Sequence, residues 1–274
     1  MAVLHMLKSM IDTINTSFIL QNGDSTIVID GGFPQEAEHL HEQIKAVGGV
    51  VNGWYLTHIH DDHVSSFFTI LETYDDIKVE NVYYNFPSDA YLDSYEPTQG
   101  DTTSVKLAAR VKKAAEDHGC TIVTVQKDDR HCYDGFSVQV LRTPDESITH
   151  NPINNASCVF RVEVEESGTS LLFLGDLGVE GGQQLLEQVP AELIKADYVQ
   201  MAHHGQNGVD RPVYEAIRPK YCLWCTPSWL WDNMGDDGYD THVFRTIVVR
   251  GWISDMRCVK HHYRMTEGDQ VIEL

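Results

Sequence analysis

No apolar run in the sequence approaches the ~20 residues a bilayer crossing needs. The start, Met1-Ala2-Val3-Leu4-His5-Met6-Leu7-Lys8, lacks the basic segment and continuous apolar stretch of a secretory signal. A membrane span and export are therefore not expected, and a cytoplasmic location is. Positive charge is also scarce: 20 Lys and Arg stand against 41 Asp and Glu, a net charge of −21. Such a surface repels polyphosphate chains, so a long nucleic acid is disfavoured as partner and a small-molecule substrate is expected. Cysteine is thin, with six residues at positions 120, 132, 158, 222, 225 and 258, too scattered to form a disulfide framework. Cys222 and Cys225 have the spacing of a zinc or redox pair, but they sit in Tyr221-Cys222-Leu223-Trp224-Cys225, which reads as a strand. Residues three apart on a strand face opposite sides, so buried apolar cysteines are expected there.

Histidine is what the chain has, and three of them crowd into Thr57-His58-Ile59-His60-Asp61-Asp62-His63, directly after the apolar Trp54-Tyr55-Leu56. Solvated imidazoles and carboxylates gain nothing by sharing their hydration, whereas a divalent cation prefers these donors. If 51–57 is a strand, His58 and His60 point the same way and reach one ion. Asp62 and His63 lie beyond the turn and suit a second ion ~3.5–4 Å away. Helix capping would account for Asp61 or Asp62 alone, but not for the histidines.

Periodicity and turn residues predict strands over 3–7, 15–20, 25–29, 50–57, 79–85, 121–125, 136–141, 158–164, 170–174, 197–202, 220–225, 256–262 and 270–274. Helices are predicted over 34–46, 63–74, 104–118, 183–189, 211–217 and 241–249, the third capped by Asp101-Thr102-Thr103. The segment 87–100 reads as a loop overhanging the site, 127–135 as a polar turn and 229–240 as irregular. Lys106, Arg110, Lys112 and Lys113 on the long helix read as a solvated face. Asp176, after Leu171-Leu172-Phe173-Leu174-Gly175, leaves a buried strand at its carboxyl end, where sheet proteins keep their sites, and its two oxygens can serve two ions. Another strand ends in His203-His204-Gly205.

The run His58-x-His60-x-Asp62-His63 resembles the signature of the metallo-β-lactamase superfamily. The resemblance implies an α/β fold, a four-layered αββα sandwich with the metal site at one edge of its two sheets; at this length we expect one domain over 1–274. It also implies that Asp30, at the end of the third strand before Gly31-Gly32, orients the histidine loop. His150 would complete the first metal site, Asp176 would bridge, and one of His203 and His204 would be the last ligand. His204 is favoured because it lies further out of the strand. The implied set is His58, His60 and His150 on one ion, Asp62, His63 and His204 on the other, and Asp176 between. The combination of Asn154-Asn155-Ala156-Ser157, Gly175-Asp176-Leu177, His203-His204-Gly205 and Thr241-His242 looks like the branch containing competence-protein hydrolase-like domains and bacterial phosphorylcholine esterase, whose members act on phosphoesters. The competence-type glycine-rich segment has no counterpart in 7–18, so DNA uptake is not implied.

The expected activity is hydrolysis by a hydroxide on two divalent metal ions, with a small phosphodiester as substrate and Asp62, His203 and His242 taking part in catalysis. The histidine count favours zinc, and manganese or iron suits the same donors. The alternatives are a hydrolase of carboxylic esters, thioesters or lactones on the same site, and a non-enzymatic metal-binding sensor module. His261 and His262 near the end are further candidates for substrate contact.

Overall fold

Continuous apolar runs along β-strands must be covered on both faces. The computed structural model, which describes residues 1–99 and 104–274, stacks two sheets to do so. Strands β1 (Val3–Met6), β2 (Ser17–Asn22) and β3 (Ser25–Asp30) form an antiparallel meander. Next come α1 (Ala37–Ala46), β4 (Val50–Val51), β5 (Gly53–Tyr55), α2 (Asp61–Thr73), β6 (Lys78–Val79), β7 (Asn81–Tyr84), α3 (Asp89–Gln99), α4 (Ser104–Asp117) and β8 (Thr121–Thr124). The second half holds β9 (Arg130–Tyr133), β10 (Phe136–Arg142), α5 (Pro152–Asn155), β11 (Val159–Val164), β12 (Ser170–Phe173), α6 (Val179–Gln188), α7 (Ala191–Ile194) and β13 (Tyr198–Gln200). It closes with α8 (Arg211–Ile217), β14 (Tyr221–Trp224), α9 (Ser228–Trp231), α10 (Thr246–Ser254), β15 (His261–Arg264) and β16 (Gln270–Glu273).

The first sheet has the order β16-β1-β2-β3-β5-β7-β8 and the second β15-β14-β13-β12-β11-β10-β9. The last strand therefore returns to the first sheet, pairing antiparallel with β1. Between the sheets lies an inner core that includes Phe18, Tyr55, Phe160, Phe173 and Leu223. Phe18 meets Phe173 edge-on at 5.2 Å, and Tyr55 meets Phe160 in the same way at 5.2 Å. Outer cores bury the apolar faces of α1, α2 and α4 on one side and of α6, α8 and α10 on the other. The layers are thus αββα, the expected architecture. Cys222 packs in an outer core and Cys225 in the inner one, on opposite sides of their strand.

Parallel pairing explains where the site sits. β3 and β5 are parallel, as are β12 and β13, so the carboxyl ends of each pair open at one sheet edge. Those ends carry Asp30, the histidine run, Asp176 and His203-His204. Cys158 N–H donates to Thr57 O at 2.8 Å and ties the two sheets together there.

Several segments differ from expectation. The strand predicted over 256–262 begins only at His261, and the stretch read as irregular over 229–240 starts inside α9. The segment read as a loop over 87–100 forms α3, since Ser88 Oγ accepts from Tyr91 N–H in its first turn and Tyr91 and Leu92 are buried; Gly100 and the capping residues 101–103 lie outside the described residues. The polar stretch 127–135 contains β9, an edge strand whose solvated face masks the alternation. The helix predicted over 241–249 begins instead at Thr246, because Asn233 Nδ2–H donates to Asp240 Oδ1, His242 O and Phe244 O and holds that stretch as a loop. Among the described residues no helix is long and apolar enough to cross a membrane.

Phe160, fully buried where the two sheets meet, supplies a direct check on the inner core. Phe160→Ala should lower unfolding free energy by ~3–5 kcal/mol, read from the urea midpoint.

Candidate metal centre

Asp30 ends β3 with φ 55, a left-handed conformation, and is fully buried. Its Oδ1 accepts from Thr57 N–H at 2.8 Å. Its Oδ2 accepts from Thr57 Oγ1–H at 2.8 Å and from His63 Nδ1–H at 2.7 Å. Thr57 Oγ1, having given its proton to Asp30, lies 3.1 Å from His58 Nδ1 and can accept from it. One carboxylate thus fixes the Nδ1–H tautomer of two rings and leaves both Nε2 lone pairs facing inward. Gly32 gives the chain room to turn after Asp30: its φ is 88, and a Cβ there would lie 1.9 Å from Asn15 Oδ1.

Inward of those rings, His63 Nε2 lies 3.1 Å from Asp176 Oδ1 and 3.6 Å from Asp62 Oδ2. His204 Nε2 lies 2.8 Å from Asp62 Oδ2 and 3.3 Å from Asp176 Oδ2. His58 Nε2 is 3.0 Å from His60 Nδ1 and 3.8 Å from Asp176 Oδ2. The ligating atoms fall into two groups, Asp62 with His63, Asp176 and His204, and His58 with His60 and Asp176, each group's atoms within 4.8 Å of one another. Asp176 belongs to both.

The donor set fits metal ions on an observation independent of residue type. Asp62 Oδ2, His63 Nε2, Asp176 Oδ1 and His204 Nε2 are buried without a hydrogen bond, although they approach one another closely. Atoms that come near without hydrogen-bond angles are aimed at a common point between them, as ligands are. Protonation points the same way. Burial alone would push the Asp176 carboxyl up, but the imidazoles of His204, His63 and His203 hold it well below the usual carboxylate range. Burial and the neighbouring His63 ring keep His58 well below its ordinary value, so it is neutral and its lone pair available. Burial opposes charge on His63, yet the carboxylates of Asp176, Asp62 and Asp30 raise it well above its ordinary value. His204 is likewise lifted against burial, to about 9, by Asp176 and Asp62. Four positive charges from two divalent ions would replace those protons.

The turn after β13 is built for its histidines. His203, His204 and Gly205 have φ of 51, 54 and 78 in succession. A Cβ on Gly205 would lie 2.6 Å from the Trp224 ring. Thr226 Oγ1–H donates to His204 O at 2.6 Å, and His204 Nδ1 lies 3.2 Å from Cys225 O, which turns Nε2 toward the cluster. Asp176 N–H donates to Ser157 Oγ at 3.0 Å.

His58, His60, Asp62, His63, Asp176 and His204 therefore converge, and Asp30 stands behind them where it was expected. His150 does not join them. Asn151, at φ 44, turns the chain so that the His150 side chain is 80% exposed and its Nδ1 lies 2.8 Å from Glu180 Oε1. His203 stands nearer, its Nε2 3.7 Å from Asp176 Oδ2. His242 stacks on Phe244 at 4.3 Å in the loop before α10 and is not among the converging groups. His262 Nδ1 accepts from Trp224 Nε1–H at 3.0 Å, and exposed His261 lies against Tyr263. Thr57 and Ser157 also build the site, through their bonds to Asp30 and Asp176, and residue spacing singles out neither. The Asn154-Asn155-Ala156-Ser157 run was noticed only as a pattern.

Residues 11–218 match the sequence profile of the metallo-beta-lactamase superfamily. The chain belongs to this superfamily. Among its relatives is the atrochrysone carboxyl ACP thioesterase of Passalora fulva, 24% identical over 125 residues. That match covers 44% of this chain and 37% of the thioesterase, so the chain corresponds to little more than a third of that protein. The whole chain superposes on 54% of CmlA, a diiron β-hydroxylase from Streptomyces venezuelae, with TM-score 0.60 and 14% identity. It also superposes, over the full length of both, on unliganded yeast PDE1 with TM-score 0.58 and 11% identity. At such identities the superpositions establish the superfamily fold alone.

Two outcomes follow for the metal centre. Asp30→Asn, which has one acceptor oxygen where three donors need two and would turn its NH2 toward either Thr57 N–H or the Thr57 Oγ1–H and His63 Nδ1–H pair, should weaken metal binding 10–100-fold by titration against a chromophoric chelator. Stripping bound ions with EDTA should lower the melting temperature by ~5–10 °C if they are present at about 100 times their Kd.

Proposed function

We propose that this superfamily member is a two-metal hydrolase whose substrate is a small phosphodiester. The observation that carries the reading is Asp176, a single carboxylate shared by two adjacent donor groups. In this assignment His58, His60 and Asp176 hold one ion and Asp62, His63, Asp176 and His204 the other. When bound, the pair would lower the pKa of a water toward neutrality and offset charge developing on the substrate. Imidazole-rich donors favour zinc, and manganese or iron suits the same groups.

His203, rather than His150, is the remaining group on the side of His58 and His60. Burial keeps its imidazole below the ordinary value, so at neutral pH it is uncharged. With Nε2 3.7 Å from Asp176 Oδ2, the ring can take a proton from the attacking water and return it to the leaving oxygen. Asp62 acts by placing the second ion, and His242 has no part in this assignment.

Charge supports phosphorus as the centre attacked. Two divalent ions would face only the carboxylates of Asp62 and Asp176 among their ligands, with Asp30 behind, so a loaded pocket would carry net positive charge and draw an anionic phosphodiester. The protein's −21 charge acts against long polyanions, which extend beyond the pocket. We also place the chain in the phosphoester-cleaving branch, on the combination Asn154-Asn155-Ala156-Ser157, Gly175-Asp176-Leu177, His203-His204-Gly205 and Thr241-His242, of which Ser157 Oγ accepts from Asp176 N–H. One observation favours a second reading: the sequence match to a thioesterase supports thioester or carboxylic ester hydrolysis on the same ions.

Metal analysis followed by kcat/KM on bis(p-nitrophenyl) phosphate, p-nitrophenyl acetate and an acyl thioester separates these readings. The phosphodiester should be cleaved fastest. His58→Ala should lower its kcat/KM by ~10³-fold or more, whereas His150→Ala should change it by no more than about twofold. A fully metal-loaded protein inert toward all three substrates would leave the sensor-module alternative in place.

A further inference from the structure

We infer that Asn154 is a substrate-binding residue, whose side-chain carbonyl accepts a hydrogen bond from a hydroxyl or N–H that the substrate carries close to the bond being cleaved. The inference rests on the hydrolase reading above and adds a chemical requirement to it.

The segment carrying Asn154 is fixed at both ends. Asn155 Nδ2–H donates to His150 O at 2.9 Å and to Glu180 Oε2 at 3.0 Å, while its Oδ1 accepts from Gly181 N–H at 2.9 Å. Both facing glycines are required for this approach, since a Cβ on Gly178 or Gly181 would lie 2.8 or 2.9 Å from the Asn155 amide. At the other end Ser157 Oγ holds Asp176 N–H, and Arg142 donates to Ser157 O at 2.9 Å. Asn154 thus projects from a rigid mount.

Its own bonds are incomplete. Nδ2–H donates to Asn151 Oδ1 at 2.9 Å, and Nδ2 lies 3.5 Å from His203 Nε2. Oδ1 is buried and has no partner among the described residues, in a side chain whose residue is only 6% exposed. The adjacent Asn155 uses both of its amide atoms, whereas the Asn154 acceptor is unused. A buried acceptor left unmade weakens a fold, and an apolar side chain of similar shape would avoid that loss. Such an atom is accounted for when a ligand brings the missing donor. Contact with His203, which itself faces Asp176, puts the amide on the reacting side of the pocket. An acceptor does not recognise phosphoryl or acyl oxygens, which are acceptors themselves. It selects an O–H or N–H elsewhere on the molecule.

The test compares matched substrates that differ only in that donor. For phosphodiesters these are 3-hydroxypropyl and 4-hydroxybutyl p-nitrophenyl phosphate against the propyl and butyl compounds. For esters they are p-nitrophenyl 3-hydroxybutanoate against butanoate. In whichever class is hydrolysed, the wild-type, metal-loaded protein should favour a hydroxyl-bearing member by about tenfold in kcat/KM. Asn154→Leu should remove that preference with metal content, measured by plasma mass spectrometry, equal to wild type. Equal cleavage of every pair by the wild-type protein overturns the inference and leaves the hydrolase reading intact. So does a preference that survives in Asn154→Leu, or a loss of bound metal in that variant. No cleavage of any member overturns the hydrolase reading and the inference with it.

Discussion

Asp30 is the constraint on which the site depends. Its carboxylate is buried with no counter-ion beyond the groups it orients, and each bond it accepts fixes a proton elsewhere. Through His63 directly and Thr57 at one remove, it settles which nitrogen of two imidazoles faces inward. Charge-assisted bonds of this kind contribute ~1.5–3 kcal/mol each, comparable with the desolvation they offset. Its left-handed backbone lets β3 end and present the carboxylate to the following parallel strand. The arrangement is built from the first sheet, and Cys158 N–H from the second holds it in place through Thr57 O.

The second sheet supplies what completes the pocket: Asp176 from the end of β12 and His204 from the turn after β13. Each half holds charges that the other must balance. Asp176 stays ionised against burial because imidazoles from both halves surround it, and His63 is driven toward protonation by carboxylates from both. The sheet-to-sheet seam is therefore apolar in its interior and ionic at one edge. Ions at that edge would join the two halves through Asp62 and His63 on one side and Asp176 and His204 on the other. Stability and metal binding are coupled there because the same side chains serve both.

Much of this could be read from residues alone. The crowding of His58, His60, Asp62 and His63 has few explanations besides a cation, and period-two alternation located most of the sheet strands. Asp176 stood out because a carboxylate directly after four apolar residues leaves a buried strand at its end. What escaped reading was direction. His150 precedes a strand pair as a ligand would, but a left-handed residue at Asn151 swings it outward toward Glu180, and no spacing rule reports φ. Similarly, α3 and β9 are polar or aromatic enough to read as loops, and the clamp that delays α10 runs from one amide, Asn233, to the Asp240 carboxylate and two carbonyls within eleven residues of it, a contact no periodicity reports.

Irregular backbone occurs where the chemistry is, as it does also at Asp12, Asp128, Arg218, Asn233 and Asp240. Asp30, Asn151, His203 and His204, all non-glycine residues, adopt positive φ within or beside the site, each at a cost of order 1–3 kcal/mol. Unpaired buried polar atoms gather there as well, on Asp62, His63, Asn154, Asp176, His203 and His204. A sequence selected only for stability would remove both features, because the surrounding cores are apolar and well filled. At this edge the unsatisfied atoms of Asp62, His63, Asp176 and His204 lie within 4.8 Å of one another, and the positive-φ turns at Asp30, His203 and His204 hold the chain around them.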